Sequence, residues 1–166
     1  MVIQLKYDKS LQINSLSTIM QGENLVDKLK IYVPTIYEDS DMSKFSANLF
    51  YKDSGNSVYS EILESVDSDK ENFLEFVLPV TTAITDIAGK VEIWLEFSYT
   101  NTDNSSAPER QVLRSKSASF EVKPWDNYEL ATNVNAQLSV MQETINDLNT
   151  KLDVLTALVT STVVSA

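Results

Sequence analysis

Cysteine and histidine are both missing from this sequence. Their absence removes disulfides, thiolate ligands, zinc sites of the usual nitrogen and sulfur kind, and any nucleophile that needs an imidazole beside it. It does not fix the compartment, because reducing and oxidising environments both tolerate cysteine-free chains. Glycine is nearly as scarce: Gly22, Gly55 and Gly89 are the only three, too few and too scattered for a glycine-rich phosphate loop. Basic side chains number 13 against 24 acidic ones, a formal net charge of −11. That sign opposes non-specific binding to nucleic acid or anionic lipid, and its ordinary consequence is solubility.

Long apolar runs are lacking too. "LTALVTSTVVSA", the most apolar stretch, is short and cut by Ser and Thr, well under the roughly 18 residues of a spanning helix. "MVIQLKYDKS" has neither the basic lead nor the apolar run of a secretory signal. The expectation is a soluble protein with no cofactor, no metal, no nucleic-acid partner and no membrane contact. Catalysis is not expected. Two carboxylates could in principle cleave a glycoside, but the acidic residues fall on solvent faces and in turns. The runs "EDSDM" (Glu38, Asp39, Asp41) and "DSDKE" (Asp67, Asp69, Glu71) offer hard oxygens, yet lack the ligand spacing and turn glycine of a calcium loop.

What is present comes in two textures that meet near Pro124. Before it, apolar and β-branched residues alternate in short runs between polar clusters. Ile3, Leu5 and Tyr7 share one face, as do Leu29, Ile31 and Val33 before Pro34. Ala47, Leu49 and Tyr51 lead into "KDSGN", where Gly55 and Asn56 accept the positive φ of a tight reversal. "NFLEFVLPV" is a further strand. "AGKVEIWLEFSYTN" is the strongest, with Val91, Ile93, Leu95 and Phe97 on one face and Glu92, Trp94, Glu96 and Ser98 on the other. "QVLRSKSASFEVKP" supplies one or two closing strands, and Leu16 to Met20 another. "VTTAITDIA" has an ambiguous period that admits a short helix. Strands spaced by turn signals predict an all-β antiparallel sandwich of roughly seven or eight strands over residues 1–124. A closed barrel is the alternative that strand count leaves open.

Residues 125–166 follow a different period. With Leu138 at heptad position a, Ile145, Leu152 and Val159 also fall at a, and Met141, Leu148, Leu155 and Thr162 fall at d. Ala131 and Val134 extend the pattern one heptad back. This predicts a helix from about Tyr128 to Val163, roughly 50 Å long at 1.5 Å per residue. Each large apolar side chain left in water forgoes roughly 1.5–3 kcal/mol of burial, more than helix propensity replaces. A helix lying on its own sandwich usually recruits e or g positions. Here g is Gln137, Thr144 and Lys151, and e is Asn135, Gln142, Asn149 and Thr156; the face widens only at the last turn, with Leu158 and Val163. The narrow seam predicts a coiled coil between copies of this chain. Val134, Leu138, Met141, Ile145, Leu148, Leu152, Leu155 and Val159 are the oligomerisation residues. Leu and Ile alternate at a with no polar residue to enforce two strands, which favours a parallel homotrimer.

Trp94, on the polar face between Glu92 and Glu96, is a candidate partner contact or sugar platform; the ordinary alternative is that a loop covers it. Trp125, at the junction of the two textures, is the second candidate contact and is expected to pack where the helix emerges.

The phrase "IMQGENLVDKLKIYVP" resembles the strand-turn-strand of the N-terminal domain of phage baseplate upper proteins. "NFLEFVLP", "AGKVEIWLEF" and "SASFEVKP" resemble later strands of that family, which run into a long helix. Met20 stands where that family has arginine before "QG". The resemblance implies a β-sandwich that docks on other virion proteins, followed by a helical bundle leading outward, in a chain made in the host cytoplasm and carried on the particle exterior. It implies a baseplate or tail adaptor, or a short fibre; a capsid-attached head fibre or decoration protein is the alternative location. Relatives continue into further domains, so a receptor-reading tip is expected to be absent, to reside in another polypeptide, or to have been removed from this chain. A carbohydrate-binding module displayed on a coil is the competing reading, motivated by Trp94 and the Asn101 to Glu109 loop.

Overall fold

The structure, a computed structural model, describes residues 1–15, 17–103 and 106–165, with side chains described through 162. Strands β1 (Val2–Leu5), β2 (Leu11–Asn14), β3 (Ile19–Met20) and β4 (Lys28–Pro34) come first, then a small hairpin of β5 (Ile36–Tyr37) and β6 (Ser40–Asp41). After them come β7 (Ser46–Lys52), β8 (Val58–Leu63), β9 (Ser65–Val66) and β10 (Phe73–Pro79), and a single helical turn, α1 (Thr82–Thr85). The chain closes with β11 (Gly89–Asn101), β12 (Glu109–Arg114), β13 (Ala118–Lys123) and the long helix α2 (Tyr128–Ser165). Two compact units result, Met1–Trp125 and Asp126–Ala166.

The β unit is sandwich-like. One sheet runs β2-β1-β4-β10-β9 and the other β3-β13-β11-β7-β8, with β12 also on β11. Most pairings are antiparallel, but β1 lies parallel to β4 and β13 parallel to β3. Those two arise because the chain leaves β2 to place β3 on the opposite sheet before returning as β4. The inner faces are the alternating sets read from the sequence. Ile3, Leu5, Leu29, Ile31 and Val33 meet Ala47, Leu49, Tyr51, Val91, Ile93, Leu95 and Phe97, all of them buried. At roughly 1.5–3 kcal/mol for each large side chain removed from water, this core is the main source of the unit's stability.

Several expectations need correction. The strand segments number thirteen among the described residues rather than seven or eight, because long strands bend and break. β12 and β13 are one strand interrupted by a bulge: Glu96 pairs with Arg114 but Ile93 with Ala118, so one residue is extra. The Leu95 N–H donates to Ser115 Oγ at 2.8 Å, filling the gap the bulge opens. Likewise β8 and β9 are one run that crosses from one sheet to the other at Glu64. Tyr7 leaves its expected face; β1 ends at Leu5, and Tyr7 stacks on Tyr37 with its ring in solvent. In the β7–β8 turn the left-handed residue is Asn56 alone, at φ 66°. Gly89 has a need of its own: its φ is 125°, and a Cβ there would stand 2.8 Å from Ser54 Cβ. Of the strand expected over Leu16 to Met20, Ile19–Met20 forms; Leu16 lies outside the described residues.

Candidate assembly and docking surfaces

α2 extends about 57 Å at 1.5 Å per residue over its 38 residues. Every heptad seam residue named above with a large side chain is exposed: Val134, Leu138, Met141, Ile145, Leu148, Leu152, Leu155 and Val159. Ile145 at 49% and Leu152 at 59% show how little of this row the helix itself covers. Several polar side chains of the helix bond within it. Thr144, Thr150 and Thr156 hydroxyls each donate to the carbonyl four residues back, at 2.9–3.0 Å. Asp147 pairs with Lys151 at 2.9 Å. Glu129, Glu143, Asp147 and Asp153 fall at f, f, c and b, so the acids of the helix avoid the seam and its flanks. Leu158 is exposed at g, where the face was expected to widen, and the widening begins earlier: Leu130 is exposed at g, and Val140 and Val154 at c. Val163 lies where side chains are not described. Among the described residues no helix is long and apolar enough to cross a membrane.

On the β unit, Trp94 is half-buried and lies flat against Phe50 of the neighbouring strand, with ring centroids 5.9 Å apart and planes 5° apart. Its stacking partner is thus a residue of the neighbouring strand. Two ion-pair groups frame the stack. Lys52 reaches Glu92 at 3.5 Å, and Glu96 takes Arg114 at 2.8 Å and Arg110 at 4.0 Å. Trp125 is 47% exposed. Asn104 and Ser105, in the loop named beside Trp94, are outside the described residues.

Two features escaped the sequence reading. The first is a polar clamp on the outer face of the β4–β10 sheet. Glu75 is 4% exposed on β10, opposite Tyr32. It takes the Lys30 ammonium at 3.3 Å and the Asp69 N–H at 3.1 Å. Asp69 accepts from the Tyr32 hydroxyl and from Lys30 at 3.1 Å. The Tyr32 hydrogen bond, then that of Lys30, holds the Asp69 carboxyl below its usual range. The same contacts push the Lys30 ammonium up, Asp69 contributing most and Glu75 next. Lys70 closes the far side, donating to Gln4 Oε1 at 2.9 Å with its charge 4.2 Å from the Phe73 ring centroid. The connection into β10 is therefore fastened down. In the sequence Glu75 looked like a polar strand position; only the register that sets it among Tyr32, Lys30 and Asp69 reveals its burial.

The second feature is β8. Val58, Tyr59 and Ile62 are all exposed, Ile62 at 79%. Of the acidic runs considered for calcium, Asp41 instead caps a turn, accepting the Ser43 N–H at 3.0 Å, and Asp69 belongs to the clamp. No group of three or more metal-ligating side chains occurs among the described residues.

No protein-family model matches this sequence, and neither does any curated protein. Among solved structures it is similar to the N-terminal domain of ORF48 of phage TP901-1, at 13% identity and a TM-score of 0.44, over 74% of this chain and 96% of that one. A likeness of that size carries no property across.

Proposed function

We propose that this chain is a structural subunit of a tailed-phage particle. It assembles with copies of itself through α2, three to a parallel bundle, and docks on other virion proteins through its β unit. The observation that carries the assembly is the exposed row from Val134 to Val159 along a helix of 38 residues. An isolated helix gains too little from its own backbone to offset that much wet apolar surface. Acids placed away from the seam, and uncharged e positions, let sister helices approach without like-charge repulsion. A position row of Leu and Ile with no polar member supports three strands over two. The phage setting is supported by the resemblance of "IMQGENLVDKLKIYVP" and the later strands to baseplate upper proteins. A role without catalysis agrees with a sequence that has neither imidazole nor thiol.

Light scattering of the intact chain beside a version ending at Trp125 tests the assembly. The intact chain is expected at three times its monomer mass and the shortened one as a monomer. A monomeric intact chain at micromolar concentration overturns the reading.

A further inference from the structure

β8 is the outermost strand of its sheet, paired with β7 and, among the described residues, with no strand on its other side. Its register is regular, from Lys52 opposite Val58 to Ala47 opposite Leu63. The Asp53 N–H donates to Ser57 O at 3.1 Å, which fixes the phase of the ladder. Hydrogen-bonded pairs then fall at Tyr51–Tyr59, Leu49–Glu61 and Ala47–Leu63. That phase leaves the N–H and C=O groups of Val58, Ser60 and Ile62 directed outward, away from β7. Natural edges are blunted by charged side chains, lysine above all, by proline, a bulge or a cover; Glu61, opposite Leu49, is the one charge on this strand. "VYSEIL" has no lysine and no proline, its pairing has no bulge, and its side chains are largely exposed.

The side chains say what fits. Val58 and Ile62 stand on the outer face, diagonal to Phe50, which lies flat on Trp94. An added strand would extend this apolar row by one more column. Charge restricts the strand further. Between Lys52 and Lys70 the chain carries Asp53, Glu61, Glu64, Asp67 and Asp69 and not one lysine or arginine. Glu61, Glu64 and Asp67 have no salt bridge among the described residues. A second copy of this edge would bring the same acids face to face, in a chain whose net charge is already −11.

We propose that β8 is an open docking edge that receives an extended segment of another protein, bearing lysine or arginine between small apolar residues, as an added antiparallel or parallel strand. Backbone pairing at Val58, Ser60 and Ile62 supplies the affinity, and the acids around the edge select the sign of the partner. The inference rests on the reading of the β unit as the docking module and gives that module a partner chemistry.

The test uses the full chain and two labelled synthetic peptides of alternating Thr and Val, one with interspersed Lys and the other with Glu. The lysine peptide is expected to bind about tenfold more tightly than the glutamate peptide, and to weaken as salt is raised to about 0.5 M. Binding should slow amide exchange at Val58, Ser60 and Ile62. Ser60→Pro, which deletes an outward N–H and leaves the β7 ladder whole, should weaken it about tenfold. Ile62→Lys, at a position too exposed to matter for folding, should weaken it as well. Equal binding of the two peptides overturns the inference, as does no binding by either, or binding unchanged in both variants. So do amides already protected without peptide, which would mean a sister copy occupies the edge. Light scattering on the same samples reports assembly through α2. Lost peptide binding with assembly intact therefore sinks this inference alone.

Discussion

Leu49 and Leu148 are the same side chain with opposite fates: the first is 0% exposed, the second 58%. The difference lies in what the local period can close upon. In the β unit, alternation at period two gives each strand one apolar face, and two sheets from the same chain cover each other. α2 has one apolar stripe at period 3.5 and no second layer within its own unit. The β unit covers its own apolar faces; the helix leaves its stripe exposed. Changes aimed at one unit should therefore leave the other standing.

The largest effect is expected in the helix. Ile145→Asp combined with Leu148→Asp would place two carboxylates in a seam that assembly must desolvate. Assembly should be lost outright in light scattering, while far-UV circular dichroism keeps its β component. Loss of the β signal as well would show that the two units are not independent. The mirror experiment strikes the body. Phe97 is 1% exposed on the central strand β11, and Phe97→Ala should cost about 3–5 kcal/mol in denaturant unfolding of the β unit. Helical signal and assembled mass should persist under conditions where the β signal has gone.

A smaller effect separates the core from the clamp. Glu75→Ala removes the acceptor that Lys30 and the Asp69 N–H share, and should cost about 2–3 kcal/mol, typical of hydrogen bonds to a buried charge. Its clearest sign is faster amide exchange in the segment before β10, with assembled mass unchanged. A loss confined to the far sheet would show that the clamp does not hold that segment.

Much of this was legible in the sequence, and what was not has a physical reason. Period-two alternation placed Leu29, Ile31, Val33, Val91, Ile93, Leu95 and Phe97 in the core, because the pleat gives each residue only two directions. The period of 3.5 placed α2, which runs two residues past the expected end. Strand breaks were hidden, since the bulge at Ser115 depends on register with β11 and not on local composition. Glu75 was hidden for the same kind of reason: burial of its charge needs Lys30 and Asp69, 45 and 6 residues away in the chain. The open edge of β8 was hidden because strand order is a property of the whole sheet. Along α2, Leu130, Val140 and Val154 were left out of the expected stripe, because a heptad reading counts only positions a and d.

The smallest expected effect is a response to alkali confined to the body. Burial, and then the charge of Glu61 beside it, pushes the Tyr51 hydroxyl from its ordinary value of 10 up to about 12. The folded state thus holds this proton more tightly than the unfolded chain. The stabilisation is fully present below about pH 10 and is lost as pH rises toward 12. A shift of that size corresponds to on the order of 1–2 kcal/mol once residual solvent screening is allowed for. Tyr51→Phe removes the titrating group while keeping the ring stacked against Tyr59, 5.1 Å away between centroids. The stability of the native β unit should fall more steeply between pH 10 and 12 than that of the variant. Identical alkaline slopes in the two proteins would show that the Tyr51 hydroxyl reaches water, and that the inner face under β8 is less closed than its burial suggests.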